Sequence, residues 1–98
     1  LSNEQKKSLR AIGHTLSPIV TVAGNGLTES VIEELNRALN DHELIKIKVS
    51  VGDREVKKQV IAEILRITGA EMPQQIGNTA LLLRHNPKAK ATLSNLKR

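Results

Sequence analysis

Apolar residues recur along the chain with two different periods, and the switches between those periods mark its elements. Leu9, Ile12 and Leu16 fall on one helical stripe, with Lys6, Lys7 and Arg10 off it. Ser2 and Gln5 form a capping-box pair at the start of that helix, and Ser17-Pro18 predicts its stop. The β-branched run IVTVA (19–23) reads as a short strand. Val31, Leu35, Ala38 and Leu39 then return to helical spacing over 28–40, with Thr28 as N-cap and Leu27 as a staple. In LIKIKVSV (44–51) the period drops to two. Ile45, Ile47, Val49 and Val51 face one way, and Leu44, Lys46, Lys48 and Ser50 the other.

Gly52-Asp53 turns the chain into a third helix carrying Val56, Val60, Ile61, Ile64 and Leu65, which Gly69 ends. A weaker strand near 72–76 and a stronger one at 79–85 close the pattern, joined by the two-residue turn Gly77-Asn78. The order is α-β-α-β-α-β-β. It predicts one domain over residues 1–85 and a basic, flexible tail over 86–98.

Charge adds a split. Residues 1–83 hold ten Lys/Arg and ten Asp/Glu, whereas the last fifteen carry Arg84, Lys88, Lys90, Lys97 and Arg98 with no acid. The net charge of +5 favours an anionic partner, nucleic acid before membrane. No apolar run approaches the roughly 20 residues of a membrane span. Cysteine is absent, which suits a reducing compartment, and no signal-peptide pattern opens the chain, so the expected location is cytoplasmic.

The stretch VAGNGLTESV (22–31) raises a specific question: a phosphate-holding loop, or only a turn before a helix. If strands 19–23, 44–51 and 72–76 run parallel, their carboxyl ends share one edge with the loop 23–26, the turn 51–54 and the hairpin 77–78. Both crossover helices then aim their N-termini there, where unpaired N–H groups and the helix dipole favour anions. Gly24, Asn25 and Gly26 let a phosphate approach the backbone, and Arg54 adds a planar fork, with Lys57 on the same helix. A nucleotide cofactor fits poorly, because no lysine follows the glycines as in a P-loop.

Lys46 and Lys48 lie on the sheet face opposite Ile45 and Ile47, expected to be open, on a line toward Arg84 and Lys88. With no Phe, Trp or Tyr the chain has no stacking platform. Contacts should therefore rest on phosphate, 2′-hydroxyl and shape, which favours structured RNA. His14, His42 and His85 share no ligand spacing, and no nucleophile–base pair stands out, so the expectation is a non-enzyme without metal or cofactor. Two other classes remain. A protein-binding adaptor would use an exposed apolar patch such as Leu81 and Leu83. An RNA-modifying or nucleotide-hydrolysing enzyme would depend on one acid or histidine.

The segments VAGNGLTESV, HELIKIKVS and DREVKKQVIAEIL, in that order, resemble the bacterial YhbY proteins. Those are single-domain members of the chloroplast RNA splicing and ribosome maturation (CRM) group. The resemblance runs from about Leu1 to His85. It implies an α/β, two-layer fold with a four-stranded mixed sheet, like the C-terminal domain of translation initiation factor three. Its strand order would be 1-2-4-3, with only the last strand antiparallel. It also implies an RNA-binding module for ribosomal RNA, acting on precursors of the large (50S) subunit. The chain is expected to be a monomer. The family loop is G-x-x-G, and Ala23 stands at its first glycine.

Overall fold

A computed structural model of the chain describes residues 2–24 and 26–96. Its elements run α1 (Asn3–Gly13), β1 (Val20–Val22), α2 (Glu29–His42), β2 (Leu44–Val49), α3 (Arg54–Thr68), β3 (Glu71–Ile76) and β4 (Thr79–Leu83). The sheet order is β1-β2-β4-β3. β1 pairs parallel with β2, and β4 is antiparallel to both β2 and β3. The expected strand order and the single reversed strand are therefore present.

Each helix starts where its cap residue dictates. Ser2 and Gln5 exchange both capping-box bonds, at 3.1 and 2.9 Å. Thr28 Oγ1 accepts from the Val31 N–H at 3.2 Å, and Asp53 Oδ1 from the Val56 N–H at 3.0 Å. The end of α1 differs from expectation. The helix stops at Gly13, four residues before Ser17-Pro18, because the Thr15 hydroxyl takes the Ile12 carbonyl at 2.7 Å and tight turns follow. Gly13 also rests on Leu81: a Cβ there would lie 2.5 Å from Leu81 Cδ1. Only a residue without a side chain lets α1 come this close to β4.

Two apolar clusters hold the sheet from its two sides. Leu35, Leu39, Ile61 and Ile64 of α2 and α3 pack on Val22, Ile45, Ile47, Val49, Ala80 and Leu82. Leu9 of α1 packs on Leu44, Leu81 and Leu83, with Ile12, Leu16 and Leu96 at the margin. This corrects the expectation of an open second face. The alternation of β2 places Leu44 with Lys46 and Lys48 as read, but α1 and Leu96 cover the half that holds Leu44. The half holding Lys46 and Lys48 stays accessible, with Lys46 half-buried and Lys48 exposed.

The C-terminal segment also departs from its reading as flexible. As far as Leu96 it is docked, and Glu43 is its anchor. This buried residue, in a left-handed backbone conformation (φ 62°), holds the Asn86 N–H through Oε2 at 2.8 Å and the Ser94 hydroxyl through Oε1 at 2.9 Å. Asn95 adds a bond from Nδ2 to the Leu44 carbonyl at 2.6 Å, and the Leu93 carbonyl meets His42 Nδ1 at 2.7 Å. A buried carboxylate must be matched by donors, and here the segment supplies them. Lys97 and Arg98 lie outside the described residues.

Candidate nucleic-acid interface

Three connections meet at the carboxyl edge of the parallel strands. Val22 stands beside Val49, Lys48 beside Thr79, and Ile76 beside Thr79. Two backbone bonds continue the edge beyond the strands, from the Ser50 N–H to the Val22 carbonyl (2.8 Å) and from the Val49 N–H to the Asn78 carbonyl (2.6 Å). The loop after β1, the turn before α3 and the β3–β4 hairpin therefore lie side by side. Adjacent strands are spaced by about 4.8 Å, so the edge spans about 14 Å from loop to hairpin.

The Gly26 N–H closes the loop on the Ala23 carbonyl at 2.8 Å. Gly26 sits at φ 71°, where a side chain strains the backbone, and open space surrounds the Cβ positions of both Gly24 and Gly26. Ala23 poses no such problem. Among the described residues Glu43 is the only non-glycine with positive φ, so Ala23 sits at the first loop position in a backbone conformation that needs no glycine. Asn25 lies outside the described residues. Thr21, Ala23, Gly24, Gly26, Thr28 and Val31 line a shallow depression at this place.

Beside it, the first turns of α3 and the hairpin form a second concavity lined by Arg54, Lys57, Lys58, Gln75 and Gly77. Lys57 is held there: its Nζ donates to Asn78 Oδ1 at 2.6 Å and to the Gly77 carbonyl at 3.4 Å. It fastens α3 to the hairpin, while Arg54 and Lys58 are exposed. Lys58 escaped the sequence reading, although its spacing of four from Arg54 puts both on one helix flank. The electrostatics are mixed. Each N-cap takes up one of the orphan N–H groups of its helix, and Asp53, Glu55 and Glu29 offset part of the positive potential.

On the second face, Lys46 shares a small pocket with His14, Gln74 and Thr79. Lys48 follows two residues nearer the edge, between Thr21 of β1 and Thr79 of β4.

Two residues from the sequence-based set do not join this surface. Arg84 follows β4 at the opposite end of the sheet. Its Nη1 donates to Asn36 Oδ1 (2.8 Å) and to the Thr68 carbonyl (2.7 Å), and its Nη2 to the Asn36 carbonyl (3.1 Å) and Asn40 Oδ1 (3.0 Å). Burial pushes its guanidinium below the usual range. Four of its five donors are thus engaged in clamping α2 to α3. Lys88 is exposed but belongs to the docked segment, two residues past Asn86, which bonds Glu43 and the Asn40 carbonyl. It too lies far from the glycine loop. The histidines stay apart in their roles: His42 meets the Leu93 carbonyl, and His85 lies 3.7 Å from Glu43. Among the described residues no three His, Asp or Glu side chains gather as metal ligands, and no helix is long and apolar enough to cross a membrane.

Residues 1–84 match the family described as the CRS1 / YhbY (CRM) domain. A Pseudomonas aeruginosa protein named a probable RNA-binding protein is 47% identical over 98 residues, covering 100% of this chain and 94% of the relative. A Haemophilus influenzae protein named RNA-binding protein is 47% identical over 93 residues, covering 95% of this chain and 94% of its own length. Among solved structures, the solution structure of a Staphylococcus aureus protein with a provisional RNA-binding assignment superposes with a TM-score of 0.76. It shares 29% identity and covers 92% of this chain and 94% of its own.

Proposed function

The chain belongs to the CRS1/YhbY (CRM) domain family, and from that membership we propose that it is a non-enzymatic RNA-binding protein. The RNA is structured ribosomal RNA, met on precursors of the large subunit, as the resemblance to the bacterial family members implies. One observation supports this reading above the others. The glycine loop, two capped helix N-termini and the Arg54/Lys58 concavity lie on one edge of one sheet. A phosphate needs close backbone approach, N–H donors and a cation nearby, and that edge supplies all three. Lys48 and Lys46 extend the contact onto the accessible half of the second face. The protein-binding alternative relied on Leu81 and Leu83, and both are buried at 2% and 3% exposure.

The test is filter binding to a large-subunit ribosomal RNA fragment at two salt concentrations, with wild type and Gly26→Val. The valine meets open space, so its cost is confined to the left-handed backbone, about 1–2 kcal/mol. Losing a charge-assisted contact costs about 1.5–3 kcal/mol, roughly a 10- to 100-fold loss of affinity. Binding should therefore fall by that factor while the domain stays folded. A Gly26→Val protein that binds as wild type would reduce the loop to a plain turn.

Lys46→Ala with Lys48→Ala should weaken binding to every RNA sequence alike, because phosphate contacts carry little base information. Neither lysine makes an ion pair among the described residues, so stability should move by about 0.5 kcal/mol at most. Equal affinity for the double variant and wild type would remove the second face from the path.

A further inference from the structure

α1 and α2, on opposite sides of the sheet, carry opposite net charge. α2, which follows the glycine loop on one side of the sheet, carries Glu29, Glu33, Glu34 and Asp41 against Arg37. α1, on the other side, carries Lys6, Lys7 and Arg10 against Glu4. A polyanion leaving the loop along α2 meets a row of carboxylates, whereas one crossing onto the second face meets lysines.

The second face also gives those charges a line. Leu9, Ile12, Gly13 and Leu16 turn inward onto the sheet, which leaves Lys7 and Arg10 on the outward side of α1, with His14 at its C-cap beside Lys46. The helix starts beside Leu83 and His85 and ends beside Lys46, so it points toward the carboxyl edge. From Lys7 to His14 the rise is about 10 Å, and Lys46 to Lys48 adds about 7 Å. Lys48 pairs with Thr21, which already lines the loop depression. Among the described residues no ion pair involves Lys7, Arg10, Lys46 or Lys48, so they are not neutralised within the fold.

We infer that the outward side of α1 is an RNA-contact surface: Lys7 and Arg10 continue the path Gly26–Lys48–Lys46–His14 and hold the phosphate backbone of the same RNA. This extends the proposed function and rests on it. The acidic face of α2 sets the direction, and α1 supplies charge without stacking groups. The added contact is therefore electrostatic and indifferent to base identity.

The experiment compares two double variants with equal net charge against one large-subunit ribosomal RNA fragment across a salt series. Lys7→Gln with Arg10→Gln removes two charges from the stripe. Arg37→Gln with Lys90→Gln removes two from exposed positions off it. All four side chains are exposed, so circular dichroism melts should coincide with wild type. The stripe variant should flatten the log–log salt slope by about 1.4–1.8, from 0.7–0.9 per lost contact, and the control by far less. Equal slopes for stripe variant and wild type would overturn the α1 surface, as would equal losses in both variants, which would mean that net charge alone acts. Gly26→Val separates the two proposals. If it loses affinity while Lys7→Gln with Arg10→Gln does not, the function stands and the stripe falls. A wild type that binds no RNA sinks both, and retention of the slope loss with an acidic polypeptide as competitor in place of RNA would assign the stripe to a protein partner.

Discussion

Truncation after His85 is expected to destabilise the domain by about 3–5 kcal/mol, although it removes no strand or helix. The reason is Glu43. Its carboxylate is buried at 3% exposure and takes donors from Asn86 and Ser94, both beyond the cut. Hydrogen bonds to a charged group contribute about 1.5–3 kcal/mol each, and water entering the vacated site recovers part of that. The cut also strips Asn95 from the Leu44 carbonyl and Leu96 from its packing on Leu44 and Leu83. Marginal domains have only about 5–15 kcal/mol in hand, so the melting temperature should fall by about 12–40 °C. Ser94→Ala isolates the smallest piece of the effect and should cost about 1–2 kcal/mol. A truncated protein with an unchanged melting temperature would show that the docked segment holds nothing. The consequence for binding studies is direct. Lost RNA affinity after truncation reports unfolding before it reports missing lysines, and Lys88→Gln with Lys90→Gln is the cleaner probe of charge in this segment.

The order of elements was legible because every helix carries its own start signal and every strand its own period. Ser2–Gln5, Thr28 and Asp53 are short-range chemistry, visible in a few consecutive residues, and all three form the expected bonds. The end of α1 was less legible: Thr15 and the turns after it stop the helix before Ser17-Pro18, and Gly13 is fixed by contact with Leu81, some seventy residues away in sequence. The same limit explains the C-terminal segment. Composition shows its cations, which suggest a solvated tail. The residues that dock it, Ser94 and Asn95, are ordinary polar residues until Glu43 and Leu44 are placed opposite them. Glu43 itself gave no local sign, because its left-handed backbone is imposed where α2 must turn directly into β2.

The candidate site was legible in part for a related reason. Gly24, Gly26 and Arg54 lie beside turns whose positions follow from the element order, and parallel topology then brings them to one edge. Lys57 is expected as an RNA-binding residue at that edge, whereas its amine is bound to the hairpin. Lys46 and Lys48 follow from strand alternation. Arg84 and Lys88 were expected from their charge and from a line running from the glycine loop past Lys46 and Lys48, but neither says which end of the sheet a residue reaches. β4 runs against its neighbours, so its carboxyl end lies away from the glycine loop.

Arg84→Met should accordingly behave as a folding variant and not as a binding variant. Methionine keeps much of the volume of the stem but strands the acceptors that the guanidinium holds: Asn36 Oδ1, Asn40 Oδ1 and two main-chain carbonyls. One of those carbonyls belongs to Thr68 in the last turn of α3, where helix carbonyls have no partner of their own and a cation is favoured by the dipole. The bonds act as one unit, so their loss is less than additive, and about 3 kcal/mol is the expected cost. That corresponds to a fall of about 12–24 °C in melting temperature. Arg84→Lys should recover only a fraction, because an ammonium cannot reproduce a planar fork that spans two helices. Below the new melting temperature, the salt slope for RNA binding should match wild type. A slope lowered by about 0.7–0.9 with an unchanged melting temperature would return Arg84 to the RNA surface. It would also mean that the clamp between α2 and α3 opens when RNA binds.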